Sequence, residues 1–144
     1  PKQTLAYTSF DRLNQLMYSI FVSEEEFMTY VDGFLLAVPT KDKDDYLSMS
    51  EKIATIYKRH GAISVCESWS NDVPEGKLNS MHTAVMRKPD EAIVFSWVTW
   101  PNKEARDKAH SKITDDMHTE LENVPIPFDG ARMIYGGFDV ILER

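Results

Sequence analysis

The alternation of apolar and polar positions predicts five strands after residue 29. Runs rich in β-branched and aromatic side chains predict strands at 30–38, 62–69, 78–87, 92–100 and 132–142. Apolar residues three or four positions apart predict one helix that ends near His60 and a second that begins after Asn102. Gly61 suits the end of the first helix, and Asn102 suits the start of the second.

A separate helical pattern precedes these elements. Its apolar residues are spaced as on one face of a helix that follows Ser9: Phe10, Leu13, Leu16, Met17, Ile20 and Phe21. Asp11 and Arg12 stand just before the apolar stretch and acidic residues follow it, which does not suit a secretory signal. We therefore expect an N-terminal helical extension over 1–27, packed on its own domain or on a partner, and one cytoplasmic domain over 28–144.

The order of the elements indicates the fold class. With the segment 78–87 set aside, the order is strand, helix, strand, strand, helix, strand, which is the split βαβ pattern of ferredoxin-like folds. Such a domain is α+β, with an antiparallel sheet that carries both helices on one face. The other face must then be exposed to solvent or covered by something else.

The strand predicted at 92–100 is apolar on both faces. One face presents Ile93, Phe95, Trp97 and Thr99, and the other presents Val94, Ser96, Val98 and Trp100. A strand of this kind is typical of a sheet that is buried on both sides. We therefore expect a homodimer in which a second copy packs sheet against sheet, unless residues 1–27 cover the face instead.

Composition excludes several classes of protein. The 144 residues include 16 Lys and Arg against 23 Asp and Glu, a net charge of −7, which argues against a generic nucleic-acid binder. The single cysteine, Cys66, excludes an intrachain disulfide and a multi-cysteine zinc site. No apolar run approaches 18 residues, so we expect no membrane span and no membrane partner.

Four separated motifs carry a resemblance to a known family. They are YVDGF at 30–34 followed by Val38-Pro39, WSNDVPEGK at 69–77, VFSW at 94–97 with PNKEARD at 101–107, and PFDGARMIYGGF at 127–138. Over roughly 28–144 the chain resembles the YbaA-like family of small bacterial proteins. The resemblance implies a dimeric α+β barrel, in which two ferredoxin-like sheets face one another. It implies no particular activity and says nothing about residues 1–27.

Common catalytic signatures are missing from the sequence. The four histidines, His60, His82, His110 and His118, do not have the short spacing of a preformed metal site. Gly136-Gly137 does not open a helix as a phosphate-binding loop would, and Ser96 lies in no Gly-x-Ser-x-Gly turn. We therefore expect neither a metal nor a cofactor.

Polar residues within otherwise apolar strands are the remaining candidates for a site. They are Asp32, Glu67, Ser96, Arg132, Tyr135 and Asp139. In the functional interpretation they line a cavity between sheet and helices, with Asp32 or Glu67 as proton acceptor and Arg132 as anion anchor and counter-ion. Trp97 would form a wall, and Ser96 and Tyr135 would contact the ligand. In the structural interpretation they sit at strand ends or form ion pairs across a dimer interface.

Two functions are consistent with these patterns. One is a homodimeric binding protein, or a cofactor-independent enzyme, that acts on a small organic molecule. The other is a structural or interaction protein without chemistry, whose N-terminal helix docks a partner. Whether Asp32, Glu67 and Arg132 line one enclosed cavity distinguishes between them.

Overall fold

A computed structural model describes residues 11–17 and 29–144 of the protein. After a helical segment over 11–17, the main elements are β1 (Tyr30–Pro39), α1 (Lys43–Arg59), β2 (Ser64–Trp69), α2 (Met81–Ala84), β3 (Glu91–Trp100), α3 (Lys103–Glu120) and β4 (Ile134–Asp139). Short 3-10 turns occupy Thr40–Asp42 and Gly130–Arg132. The rest of the helix predicted after Ser9 lies outside the described residues. Within the described ranges, no helix is long and apolar enough to cross a membrane.

The four strands form one sheet in the order β2–β3–β1–β4. All three neighbouring pairs are antiparallel, with Tyr30 opposite Trp100 in the central pair and opposite Asp139 in the outer pair. This confirms the α+β class and the antiparallel sheet, and the strand order is consistent with a ferredoxin-like fold.

The prediction of a strand at 78–87 is wrong. The segment contains the short helix α2, capped by Ser80, whose hydroxyl accepts from the Thr83 backbone N–H while the Thr83 side chain accepts from the Ser80 backbone. This reciprocal capping box satisfies backbone groups locally, so it competes with strand pairing. Val85, directly after α2, is fully buried against Ala37 and Ile93.

The predicted helix ends agree with the structure. Helix α1 ends at Arg59, and Gly61 has the positive φ of 102° that favours glycine after a helix. Helix α3 begins after Asn102, whose side-chain oxygen accepts from the Ala105 N–H at 2.8 Å. The last strand is shorter than predicted, because pairing with β1 extends only from Ile134 to Asp139.

Both long helices pack on one face of the sheet. Ile56 of α1 and Ile113 of α3 share a buried cluster with Val98 and Trp100 of β3. Towards the other end of the sheet, Tyr46 and Met49 of α1 pack against Leu36, Val38 and Val94. The even-numbered residues of β1 and β3 therefore face the helices.

The opposite face of the sheet is apolar and only partly covered. Val85 covers Ile93 at one end, whereas Phe95 is 47% exposed and Phe138 is 61% exposed. The Phe95 and Trp97 rings lie beside one another, with centroids 5.4 Å apart. We call this surface of Phe95, Trp97, Ile134 and Phe138 the open face. Its burial by a second copy stays a prediction.

The paired glycines of β4 accommodate rings on both faces. A Cβ at Gly137 would collide with the Tyr30 hydroxyl, and one at Gly136 would press against the Phe138 ring at 3.4 Å. Glycines inside a strand are typical of a bulge or of a close approach by another backbone. The strand pairs regularly with β1, and the groups that approach are aromatic side chains.

Candidate functional site

A cavity of about 260 Å³ lies between α1 and the helix-facing side of the sheet. Its walls are mostly apolar and aromatic, with Phe34, Ile53, Tyr57, Val65, Met117 and Phe128 among them. Among the described residues that line it, few are polar, and Glu67 of β2 is the only charged one. This combination of an apolar lining and a few convergent polar groups is typical of small-molecule sites.

Glu67 is held by a tyrosine from the helix above it. The Tyr46 hydroxyl donates to Glu67 Oε2 at 2.7 Å. Burial raises the pKa of Glu67, although the hydrogen bonds from Tyr46 and Ser96 oppose that rise. Burial, and then the hydrogen bond to Glu67, raise the pKa of Tyr46 well above its usual value. The phenol therefore stays protonated and remains a donor to the carboxylate.

Ser50 places a hydroxyl beside this pair. It is buried one turn after Tyr46 on α1 and lines the same cavity. Its oxygen is close enough to lower the pKa of Tyr46 slightly, yet it meets the geometry of no hydrogen bond among the described residues. A buried hydroxyl in this state is available to a bound molecule.

Asp32 lies on the same face of the sheet but is occupied by protein groups. Trp100 Nε1 donates to it at 2.9 Å, and Arg106 donates from Nε at 3.0 Å and from Nη2 at 2.8 Å. Asp32 therefore has Arg106 of α3 as its counter-ion. A smaller cavity of about 90 Å³ beside this pair includes Tyr57 and Tyr135 in its lining.

Arg132 lies apart from the cavity beside Glu67. Its Nη2 and Nη1 bind the two Glu91 carboxylate oxygens at 2.6 and 2.7 Å, and Nε contacts Asp129 at 3.2 Å. Hydrogen bonding to Arg132 lowers the pKa of Glu91 to about 2. The expectation that Arg132 is the counter-ion of Asp32, Glu67 or Asp139 is therefore wrong, and its carboxylate partners are Glu91 and Asp129.

The remaining candidates fall on different surfaces. Ser96 is buried and lines the cavity beside Glu67. Trp97 borders the cavity, but its ring packs beside Phe95 on the open face. Tyr135 is 73% exposed and stacks on Phe34, with centroids 6.2 Å apart. Asp139, at the end of β4, is exposed.

Comparison with known proteins assigns the chain to a family. The family model described as a protein of unknown function, DUF1428, matches residues 29–130. The chain belongs to the DUF1428 family. The uncharacterized protein YbaA of Escherichia coli strain K12 is 45% identical over 117 residues, which are 81% of this chain and 100% of that relative. The YbaA protein of Shigella flexneri matches to the same extent. This confirms the YbaA-like resemblance.

The part of the chain matched by the DUF1428 model includes Glu67, Tyr46, Asp32 and Arg106. Arg132 and Tyr135 lie beyond that match. The two carboxylate arrangements on the helix-facing side of the sheet are therefore within the family region.

Sequence reasoning missed three of the groups that contact the predicted site residues: Tyr46 beside Glu67, Arg106 beside Asp32, and Glu91 beside Arg132. Tyr46 belongs to the apolar stripe of α1 and looked like a core residue. Arg106 lies on the charged surface of α3, and Glu91 stands at the very start of β3. The PNKEARD motif contains Arg106, but the sequence does not indicate which carboxylate it reaches.

Within 11–17 and 29–144, no three His, Cys, Asp or Glu side chains are grouped closely enough to hold a metal ion. His60 contacts Asp116 at 2.6 Å between α1 and α3, and His82 contacts the Val73 carbonyl at 2.8 Å. In the described residues, Glu67 is the one charged group that lines the cavity of about 260 Å³.

Proposed function

We propose that the protein is a homodimer that binds a small, mainly apolar organic molecule in the cavity beside Glu67. The observation that carries this proposal is an apolar cavity of about 260 Å³ that converges on one half-buried carboxylate. A cavity near 150 Å³ is enough for benzene, so this one suits a molecule on the order of ten non-hydrogen atoms.

Within this proposal, Glu67 is the group that contacts the polar end of the molecule. Its raised pKa makes it a better proton acceptor than an ordinary surface carboxylate, because basicity rises with the pKa. Asp32, the other candidate acceptor, already accepts three N–H groups from Trp100 and Arg106. Any chemistry that moves a proton would therefore use Glu67.

The open face supports the dimer. Phe95, Trp97, Ile134 and Phe138 form an apolar surface on a sheet whose other side is filled by both long helices. Apolar patches of this kind mark interaction sites in soluble proteins. A second copy of the same sheet, packed face to face, would bury these rings at the spacing usual between stacked sheets.

Light scattering tests the dimer. We expect the wild-type mass to be that of two chains at micromolar concentration, and Phe95→Lys to shift it towards one chain because a charge would then be buried at the interface. Leu78→Lys, in a loop where the side chain is fully exposed, is the matched control and should remain dimeric. A monomeric wild-type protein would refute the dimer.

Ligand-observed saturation-transfer NMR with toluene tests the cavity. We expect a signal with the wild type and its loss in Ile53→Trp, because Ile53 lines the cavity and the larger side chain fills it. Thr55→Trp, two residues later on the exposed surface of α1, is the control and should keep the signal. If Ile53→Trp keeps the signal as Thr55→Trp does, toluene binds elsewhere and the cavity is not its site.

A specific observation also favours the second function, that of an interaction protein whose N-terminal helix docks a partner. Leu13, Leu16 and Met17 are exposed on the helical segment 11–17. Removing residues 1–27 leaves 117 residues (144 − 27), the same length as the E. coli relative. We expect the truncated protein to stay folded and dimeric, and to lose cross-linking to any partner of the helix. Unfolding of the truncated protein would show that the helix belongs to the core instead.

A further inference from the structure

Glu67 has no counter-ion in contact with it within residues 11–17 and 29–144. No Lys, Arg or His among the described residues lies within 4.0 Å of its carboxylate oxygens, since none of the ion pairs includes it. Lys43, at the start of α1, borders a smaller adjacent cavity, but its ammonium group lies over the Trp69 ring, 5.2 Å from the centroid. A half-buried carboxylate without a counter-ion costs free energy that a cationic ligand would recover.

The surroundings of Glu67 suit a cation for a second, independent reason. Five aromatic side chains line the cavity: Phe34 of β1, Tyr46 and Tyr57 of α1, Trp97 of β3, and Phe128 from the loop before β4. The Phe128 and Tyr46 rings meet edge to face, with centroids 6.2 Å apart. The faces of such rings attract organic cations, most strongly where water is excluded. The walls and the carboxylate therefore favour the same charge on a ligand.

We infer that the cavity selects an organic cation, an amine whose ammonium group binds Glu67 and whose apolar body fills the space between α1 and the sheet. The inference rests on the proposed function and narrows its ligand class. Ammonium N–H groups would donate to Glu67, and the Ser50 hydroxyl, which has no hydrogen-bond partner in the described part of the chain, can accept one more. A neutral alcohol of the same shape would make the same contacts without the charge.

The titratable groups around Glu67 set the expected pH dependence. Tyr46 and Tyr57 face it from α1, burial raises the pKa of both, and that of Tyr57 reaches about 12. Neither tyrosine changes charge near neutral pH, so ionisation of Glu67 itself governs the site. Amine binding then weakens as the pH falls through the pKa of Glu67, because the carboxyl becomes neutral. A ketone, which needs a donor, would bind more tightly over the same pH range.

Three probes of nearly the same shape test the inference: toluene, benzyl alcohol and benzylamine, titrated into the full chain by NMR at neutral pH. We expect benzylamine to bind about tenfold more tightly than benzyl alcohol, as a charge-assisted hydrogen bond replaces a neutral one. Glu67→Gln should remove this tenfold preference and leave toluene binding within about twofold. Glu51→Gln, on the exposed surface of α1, is the matched control and should change nothing.

The possible results separate the inference from the proposed function. Equal affinities for benzylamine and benzyl alcohol, with toluene still bound, would overturn the inference and leave the apolar site intact. Binding of none of the three probes would overturn both. If Glu67→Gln does not fold, the affinities of the wild type for benzylamine and for the ketone acetophenone are measured as the pH is lowered. A loss of benzylamine affinity with a gain of acetophenone affinity supports the inference. The same pH dependence for both probes refutes it.

Discussion

Asp32 and Glu67 are two carboxylates on the same face of one sheet, and their surroundings differ in almost every respect. Asp32 joins three elements, because it stands on β1 and accepts from Trp100 of β3 and Arg106 of α3. Glu67 stands on β2, accepts from Tyr46 of α1 and borders a cavity. Asp32 is paired with a cation, whereas Glu67 has no ion-pair partner among the residues that the structure describes.

The difference teaches how to distinguish a structural carboxylate from a binding one. A charge buried with its counter-ion and all its hydrogen bonds contributes to the fold and has nothing left to offer a ligand. Burial raises the pKa of the Glu67 carboxyl, and no counter-ion contacts it among the described residues. Such a carboxylate can still accept a hydrogen bond or a proton from a molecule in the cavity. By burial alone, Asp32 would be the stronger candidate for a ligand-binding carboxylate. By the number of protein groups that already donate to each carboxylate, Glu67 is the stronger candidate.

The largest expected effect comes from Asp32. Asp32→Ala leaves Trp100 Nε1 without a partner and Arg106 as an unpaired cation, so it should lower the free energy of unfolding by about 3 kcal/mol. We take the lower end of the usual range because the Arg106 side chain is 27% exposed. Urea unfolding measures this loss. The double variant with Arg106→Met should recover part of it, and a loss below about 1 kcal/mol would contradict a structural role.

Glu91, which is buried like Asp32, should give an intermediate effect with a defined pH dependence. Glu91→Gln removes the ionised partner of Arg132 and should cost about 2 kcal/mol at pH 7. The folded-state pKa of Glu91 is lowered from 4.5 to about 2, so its contribution is present above pH 4.5 and is lost as the pH falls towards 2. Urea unfolding of both proteins across this range should show their stabilities converge. A constant difference would contradict the assignment.

The smallest effect, of opposite sign, is expected at Glu67. Its pKa is raised in the folded state, so the ionised carboxylate opposes folding above that pKa and ceases to do so as the pH falls through it. Without ligand, Glu67→Gln should therefore stabilise the protein at pH 7 by several tenths of a kcal/mol. Thermal unfolding with Glu51→Gln as control measures this. A clear loss of stability would make Glu67 a structural residue like Asp32.

The fold was largely accessible from the sequence. Period-two and period-3.6 patterns are local, and so are the residues that cap helices. This is why β1, β3, the end of α1 and the start of α3 agree with prediction. The prediction for 78–87 failed because the spacing of its apolar residues is like that of a strand. The side chains of Ser80 and Thr83 instead satisfy the backbone groups of a helical turn.

The candidate site could be predicted from the sequence only in part. The sequence places Asp32, Glu67 and Ser96 on strands but does not indicate which face of the sheet meets the helices. The structure puts all three on the helix-facing side. Which cation each carboxylate meets depends on which turn of α3 or which loop lies above it, and that is set by tertiary packing. Arg106 and Arg132 are indistinguishable as counter-ions in the sequence, yet one binds Asp32 and the other Glu91.

Side-chain carboxyl NMR of the full chain with and without benzylamine tests the contrast between the two carboxylates most directly. We predict that saturating benzylamine moves the Glu67 carboxyl resonance and lowers the pH midpoint of its titration, because a nearby cation favours the ionised form. The Asp32 resonance should stay in place, since Arg106 and Trp100 already occupy it. Movement of the Asp32 resonance with Glu67 unchanged, or movement of neither while benzylamine is bound, would contradict the account.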